Sequence, residues 1–282
     1  MKKTYLLLPI FFLASCSSSN DDIEAAINNG NNNNNNNNNT PVLVTKMVAD
    51  GDVSTYTYNG TKLSESKNLT DGTVTTFTYT GDLITKSVTT GSNSTSTTTY
   101  TYDSSSRLSK STTVHTSSNP SSTTEITYTY PAPNNVKMVV TLSTGGSSMI
   151  KTYTRNAVLN ADGSLKNWTE TVASPNPSGG FDTGNGTLQP IVYDTKNAPF
   201  KNVTGYLKLM DQENENGSTH NVTDYKNVVQ YSISGGTEWT IFNSIYVYNA
   251  SGYPIKDTRK YYDKTGSSVT NTEITTYEYN HL

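Results

Sequence analysis

The sequence predicts an all-β domain, an antiparallel β-meander of repeated hairpins that forms a strongly curved open sheet or a barrel-like structure. Three observations predict it: tyrosines spaced two residues apart recur along the chain, the residues around them alternate with a period of two, and short polar turns follow each pair. The best-formed copy spans residues 100–110. Further copies begin at Tyr56, Phe77, Tyr128, Tyr246 and Tyr277.

The period identifies strands and excludes helices. In a strand, residues two apart share a face, so a Tyr-x-Tyr pair places two rings side by side while the intervening threonine faces away. β-Branched and aromatic residues suit a pleated, half-buried surface, and the Asn-Gly, Thr-Gly and Ser-Gly pairs supply residues that tolerate positive φ. Each unit is therefore predicted to be one hairpin.

The spacing of the copies indicates side-by-side stacking. Starts at Tyr56, Phe77, Tyr100, Tyr128 and Tyr153 lie 21 to 28 residues apart, which is the length of two strands and two turns. A unit of this size cannot bury its apolar face alone, so the hairpins are expected to join into one continuous sheet.

Residues 1–16 read as a lipoprotein signal peptide. Lys2 and Lys3 precede an apolar run at residues 5–13 that is too short to span a bilayer, and Leu-Ala-Ser-Cys closes the segment at Cys16. This ending resembles the lipobox of bacterial lipoproteins, which implies that Cys16 carries the lipid and that the protein's partner is a membrane. The alternative is an ordinary secretory signal with an incidental cysteine. Cys16 is the one cysteine of the chain, so no disulfide framework exists.

Residues 17–40 are predicted to be a disordered, asparagine-rich tether. The tract at residues 28–39 has no apolar side chain with which to pack, and a flexible segment of this length spans roughly 25–30 Å. Asp21, Asp22 and Glu24 resemble the acidic export signal of surface lipoproteins in the Bacteroidota. The expected location is the outer membrane, with the domain lipid-anchored at the cell surface. An acidic linker facing the periplasm is the alternative.

Residues 41–282 are expected to form the repeat domain. Residues 42–48 read as an edge strand, residues 174–185 as a long loop, and residues 239–248 as a strand covered on both faces. At most one short helix is expected, near residues 199–211, where Phe200, Val203, Leu207 and Met210 are spaced for one helical face. That helix would cap an end of the sheet or fill its concavity.

Two stretches resemble the YD repeats of the RHS family, whose unit is Tyr-Asp-x-x-Gly-Arg-Leu. Residues 102–108 (Tyr-Asp-Ser-Ser-Ser-Arg-Leu) place Ser106 where the family has glycine, and residues 248–252 (Tyr-Asn-Ala-Ser-Gly) place Asn249 where it has aspartate. The whole domain resembles Bacteroidota lipoproteins of unknown function with a porin-like fold. Residues 193–202 (Tyr-Asp-Thr-Lys-Asn-Ala-Pro-Phe-Lys-Asn) resemble a stretch common in flavobacterial members. The resemblance implies a curved or barrel-like antiparallel sheet and assigns no catalytic residue.

The sequence offers no catalytic constellation, no metal site and no cofactor motif. Its histidines, His115, His220 and His281, lack metal-binding spacing, and no Gly-x-Ser-x-Gly motif occurs. The net charge of −3 disfavours nucleic acid as a partner. Hydroxyl side chains occupy both faces of residues 94–101, so neither face of that strand suits lipid. The protein is therefore expected not to be an enzyme.

Aromatic side chains are the remaining binding candidates. The chain has 20 tyrosines, 6 phenylalanines and 2 tryptophans. Trp168 and Trp239 are the predicted ligand-stacking residues, with core packing as the alternative for each. These features predict a lipid-anchored envelope protein that acts as a structural or binding module, with an extracellular glycan or protein as its partner. The alternatives are a surface glycan-binding lipoprotein and, third, a glycan-processing hydrolase with converging carboxylates.

Overall fold

The structure, a computed structural model, describes residues 40–117, 121–145, 150–175, 179–210, 218–231 and 236–281. The predicted signal peptide, the predicted lipidation site Cys16 and residues 17–39 of the predicted tether lie outside the described residues.

The domain consists of β-strands and one short helix. In chain order these are β1 (Val44–Ala49), β2 (Asp52–Asn59), β3 (Lys62–Asn68), β4 (Val74–Thr80), β5 (Leu83–Thr90), β6 (Ser94–Tyr102), β7 (Leu108–Ser117), β8 (Ser122–Ala132), β9 (Asn135–Thr144), β10 (Ile150–Leu159), β11 (Leu165–Pro175), β12 (Phe181–Leu188), β13 (Val192–Tyr193), α1 (Tyr206–Met210), β14 (Val222–Tyr231), β15 (Thr237–Tyr248), β16 (Pro254–Tyr262) and β17 (Val269–Tyr279).

The strands form a closed antiparallel barrel. Sixteen of them pair with their neighbours in the chain, and the two-residue β13 adds a short pairing to β14. β1 pairs with β2 on one side and with β17 on the other, which closes the sheet on itself. The predicted all-β meander is therefore confirmed in its barrel-like form. The prediction that residues 42–48 form an edge strand is wrong, because β17 returns to complete the ladder of β1.

The two ends of the barrel differ. At one end, which we call the tyrosine end, Tyr-x-Tyr pairs lie at the C-terminal ends of strands such as β2, β6 and β17. Cross-strand partners share a face, so Tyr58 and Leu63 point inward together, as do Tyr102 and Leu108. The leucines are almost fully buried, and one cluster of buried side chains extends from Leu108 to Phe242. The interior at this end is a packed core.

A recurring β-bulge accompanies the tyrosines. Six tyrosine hydroxyls donate to a backbone carbonyl on another strand at 2.6–3.0 Å: Tyr58 to Val44, Tyr102 to Ile84, Tyr130 to Leu108, Tyr193 to Leu165, Tyr246 to Val222 and Tyr279 to Pro254. In every case the register shifts at the residue directly after the acceptor. A bulge interrupts the ladder locally, and the hydroxyl binds at that interruption. These six hydroxyls therefore bind backbone carbonyls.

The turn after the tyrosines has a conserved geometry within the chain. The Asp103 carboxylate accepts hydrogen bonds from the backbone N–H groups of Ser105 and Arg107, each at 2.9 Å. Asn249 accepts from Ser251 and Tyr253 at 2.9 and 3.0 Å in the same way. The fourth residue of each turn has positive φ, 59° at Ser106 and 78° at Gly252. Aspartate or asparagine suits the first position of this turn because its side-chain oxygen accepts hydrogen bonds from the backbone N–H groups. Glycine suits the fourth position because φ is positive there.

The only helix in the described part of the chain is α1, a single turn. The prediction of at most one short helix near residues 199–211 is confirmed. Residues 199–205 form turns rather than a first helical turn, and the buried side chain on α1 is Leu209 rather than Leu207. The expected helical face was wrong because Phe200 and Val203 pack against β2 and β3 from a turn.

Two strands differ from the sequence prediction. β12 occupies part of the predicted loop at residues 174–185, despite its glycines. A Cβ on Gly186 would lie 3.1 Å from the Trp168 ring, so the glycine leaves room for the indole. The outer face of β15, predicted to be covered, is open at Ile245 and Val247.

In the part of the chain that the structure describes, no helix combines the length and apolar character needed to cross a membrane.

Ser106→Gly should stabilise the protein. Ser106 adopts the left-handed conformation that costs a residue with a side chain about 1–2 kcal/mol, and the gain is reduced because glycine is freer in the unfolded chain. We expect the free energy of unfolding in urea to rise by about 0.5–1 kcal/mol. Gly252→Ser is the matched variant: its Cβ would meet nothing closer than 3.6 Å, so it should lose stability through φ alone. No gain from Ser106→Gly would show that the turn tolerates serine without strain.

Candidate functional site

A segment of the long β12–β14 connection lies across the tyrosine end. We call residues 194–210 the closing segment. The Thr204 amide donates to the Thr61 carbonyl at 2.9 Å, and the Asn197 amide donates to the Gly252 carbonyl at 2.9 Å. Gly205, at φ 76°, approaches so closely that a Cβ there would lie 2.6 Å from the Asp82 carbonyl oxygen. The segment therefore contacts the β2–β3, β4–β5 and β15–β16 turns and covers that side of the opening.

The closing segment also holds the start of the barrel. Asn202 Nδ2 donates to the Val42 carbonyl at 3.0 Å and to the Tyr253 hydroxyl at 2.7 Å. The Phe200 ring stacks on Tyr206 with a centroid distance of 4.6 Å and meets Tyr56 edge-on at 5.2 Å. The N-terminal and central parts of the domain are thus joined at this end.

Asp194 anchors the closing segment. Its carboxylate accepts hydrogen bonds from the Lys196 amide at 2.9 Å, from the Asn221 amide at 3.1 Å and from the Tyr248 hydroxyl. Burial and the neighbouring carboxylate raise the pKa of Tyr248 above its usual range. Tyr248 therefore stays a neutral donor, and the arrangement is a fixing point for the loop.

The barrel interior holds a buried ion pair between β10 and β11. Arg155 Nη2 and Nε lie 2.7 and 3.0 Å from Glu170 Oε2, and both side chains are largely buried. The guanidinium lies 4.2 Å from the centroid of the Trp168 ring. Stacking on an aromatic face and pairing with a carboxylate suit arginine, so the charges offset one another inside the core.

A second charged cluster lies on β15, β16 and β17. Arg259 packs 4.0 Å from the Phe242 ring centroid, donates to Ser244 Oγ at 3.0 Å and lies 3.6 Å from Asp257 Oδ2. Across the ladder, Glu273 pairs in register with Arg259 and accepts from the Tyr261 hydroxyl at 3.3 Å. Two carboxylates therefore flank one guanidinium.

The Asp257 carboxyl is the most perturbed acid in this cluster. Burial raises its pKa to about 6, and the attraction of Arg259 only partly opposes this effect. Its Oδ1 has no hydrogen-bond partner among the described residues. Burial also raises the pKa of Glu273. At neutral pH the interior thus holds an ionised acid in a site that favours its neutral form.

Sequence reasoning missed both clusters, although the repeat contains a signal for them. In three repeats the residue three after the buried Leu63, Ile84 or Leu108 is a serine facing inward: Ser66, Ser87 and Ser111. At the corresponding positions β11 has Trp168 and β16 has Asp257. Aligning the repeats by this position would have singled out the strands on which the chain departs from its own pattern.

The predicted stacking residues lie on opposite faces of the sheet. Trp168 shares a face with Leu188, Asn227 and Thr240 through successive pairings, and it is 2% exposed inside the barrel. Trp239 precedes Thr240 and so faces outward, half-buried, with Nε1 donating to the Tyr262 carbonyl at 3.3 Å. The structure does not bring the two indoles together, and ligand stacking by either stays a prediction.

Among the described residues, no group of three or more His, Cys, Asp or Glu side chains is placed to hold a metal ion.

Asp257→Asn should stabilise the protein at neutral pH and change its pH dependence. Because the pKa in the folded state is above its usual value of 3.8, this carboxyl supports folding below about pH 4 and opposes it as pH rises through 6. We expect the variant to be more stable by about 1–3 kcal/mol at pH 7, with the difference vanishing near pH 4. Urea unfolding of both proteins between pH 4 and pH 7 measures this difference in the free energy of unfolding.

Glu278→Gln is the matched control, since Glu278 forms an exposed pair with Lys46. It should change stability little at any pH. A loss of stability in Asp257→Asn at pH 7 would show that the attraction to Arg259 outweighs burial.

Comparisons with known proteins support the fold. No protein-family model matches the chain, and no curated protein matches it. A porin-like protein from Bacteroides vulgatus has a TM-score of 0.52 and 12% sequence identity, covering 85% of this chain and 100% of that one. A porin-like protein from Bacteroides uniformis has a TM-score of 0.32 and 13% identity, covering 81% and 78%. At such identity, the first likeness shows the fold alone: this chain shares the β-barrel fold of that porin-like protein.

Proposed function

We propose that the protein is a lipid-anchored envelope module with a structural or binding role and no enzymatic activity. The observation that carries the proposal is the position of residues 40–43, the first that the structure describes. The Leu43 amide donates to Asn280 Oδ1 at 2.9 Å, and residues 40–43 lie at the tyrosine end beside the closing segment. A lipid at Cys16 would therefore be connected to this end through the predicted tether, and the opposite end would be available for a partner.

The closed interior supports a scaffold rather than a catalyst. The two interior arginines, Arg155 and Arg259, are paired with carboxylates, and the tyrosine end is filled by core side chains and the closing segment. A hydrolase would need two carboxylates that reach a substrate. Asp257 and Glu273 are neighbours on β16 and β17, but the Asp257 side chain is 4% exposed, which disfavours contact with a substrate.

The proposal is tested on the intact protein in cells of its native host. Wild-type protein should incorporate labelled palmitate and stay with the membrane, whereas Cys16→Ala should lose the label and leave the membrane fraction. Protease added to intact cells should degrade the wild-type domain if it lies at the surface. Membrane-bound, labelled Cys16→Ala would refute the anchor, and protection until permeabilisation would place the domain in the periplasm.

A glycan-binding role is the second candidate, and the position of Trp239 favours it. Trp239 is half-buried on the outer wall beside Tyr262, which pairs with the exposed Val269. A partly exposed indole whose N–H is already bound is suited to stacking on a sugar ring.

Trp239→Ala should abolish polysaccharide binding, measured by affinity electrophoresis, while leaving the fold intact. Trp168→Ala is a poor probe of binding because this buried indole should cost about 3–5 kcal/mol of stability when removed. Binding that survives Trp239→Ala, or no binding by wild-type protein, would exclude the Trp239 surface.

A further inference from the structure

The outer wall of the barrel carries one concentration of exposed apolar side chains. Four lie on three consecutive strands: Ile245 and Val247 on β15, Ile255 on β16 and Ile274 on β17, with exposures of 66%, 50%, 36% and 43%. We call these four residues the apolar patch. Elsewhere on the described wall, exposed residues such as Val114 and Val139 stand apart on β7 and β9.

The register places the members of the patch close together on the wall. Ile245 pairs with Thr258, and Thr258 pairs with Ile274, so the two isoleucines lie two strands apart, about 10 Å. Val247 lies one outward position along β15. Ile255 is the extra residue of the β16 bulge. It lies between Lys256, which pairs with Val247, and Pro254, which pairs with Tyr248. The bulge that receives the Tyr279 hydroxyl on its inner side therefore presents an isoleucine on its outer side.

Two lysines of β16 lie beside the patch. Lys256 and Lys260 are exposed on the outer face of β16, and neither forms a salt bridge with a described residue. Glu278 on β17 is already paired with Lys46 at 3.0 Å. Apolar side chains interspersed with free lysines match the boundary between acyl chains and anionic headgroups.

The patch also lies near the first residues that the structure describes. Val247 and Ile255 flank the β15–β16 turn at the tyrosine end, and β1 begins beside the end of β17. Residue 40, the first that the structure describes, precedes β1 at this same end. A lipid attached at Cys16 would bring this edge of the barrel to the bilayer first.

We propose that the apolar patch, with Lys256 and Lys260, docks on the surface of an anionic membrane and tilts the barrel so that its opposite end points away. This inference rests on the proposed lipid anchor. It adds a defined orientation: without docking, a tether of 24 residues, 17–40, would leave the barrel free to rotate. Each apolar side chain that enters the interface contributes in proportion to the area removed from water.

The test uses a spin label at one introduced cysteine, because Cys16 is the only native cysteine and its sulfur would be lipid-bound. Lipidated Val247→Cys protein is reconstituted into phosphatidylethanolamine–phosphatidylglycerol vesicles. Collision with oxygen, which partitions into lipid, is compared with collision with a water-soluble nickel chelate. Val114→Cys, 40% exposed on β7, is the matched control.

We expect the ratio of oxygen to nickel collisions to be several-fold higher at position 247 than at 114. The double substitution Lys256→Gln and Lys260→Gln should lower the collision ratio at position 247 in these vesicles. It should leave that ratio unchanged in phosphatidylcholine vesicles. Equal ratios at 247 and 114 would overturn the proposal. Protection of position 247 from both reagents would also overturn it, since that result indicates a protein partner.

Mass spectrometry of the N-terminal peptide separates this outcome from failure of the anchor. If the peptide carries no lipid, the anchor is wrong and Cys16 would also take the spin label. The Val247→Cys substitution is then combined with Cys16→Ala, and the labelled protein is mixed with the same vesicles. A raised collision ratio then supports docking by the barrel itself, whereas no rise contradicts it.

Discussion

The hydrogen bond from a tyrosine hydroxyl to a bulged strand is the interaction on which the barrel is built. Each bond joins two strands at the tyrosine end, and six recur between Tyr58 and Tyr279. One such bond contributes about 0.5–1.5 kcal/mol net, but its geometric effect is larger. A bulge increases the local twist of a strand, and repeating it around the sheet provides curvature that a regular ladder lacks. The tyrosine satisfies a carbonyl at the position where the bulge interrupts pairing.

Closure of the sheet makes the first and last strands dependent on one another. β1 is short, but it has a partner on each side, and Asn280 bonds to the backbone of Leu43 beyond the ladder. The closing segment ties the same region to the β2–β3 and β15–β16 turns. The first described residues, the last described residues and the β12–β14 connection therefore converge at one end. An anchor preceding residue 40 would act on the most interconnected part of the barrel.

One part of the barrel interior follows the repeat pattern, and another part carries the two charged clusters. Repeats containing Ser66, Ser87 and Ser111 line the barrel with hydroxyls, and Ser87 pairs with Tyr100 at 3.2 Å. β11 and β16 replace that serine with Trp168 and Asp257, and each strand adds an ionised partner two residues later, Glu170 or Arg259. Burying a charge requires a paired charge nearby, and Arg155 on β10 and Glu273 on β17 supply it. They mark the strands where the barrel differs from its repeat.

The sequence by itself determined the all-β class, the hairpin unit, the shared face of each Tyr-x-Tyr pair and the presence of at most one short helix near residues 199–211, because period-two alternation and turn residues are local signals. Barrel closure, the pairing of β1 with β17 and the position of the closing segment were decided only by tertiary structure, since they depend on contacts such as Leu43 with Asn280. The same limit applied to the sites. Trp168 and Trp239 could be identified as large aromatics, but a shift of one residue in register decides which face a side chain occupies. Asp257 and Arg259 looked like ordinary strand charges until the closed sheet removed them from water.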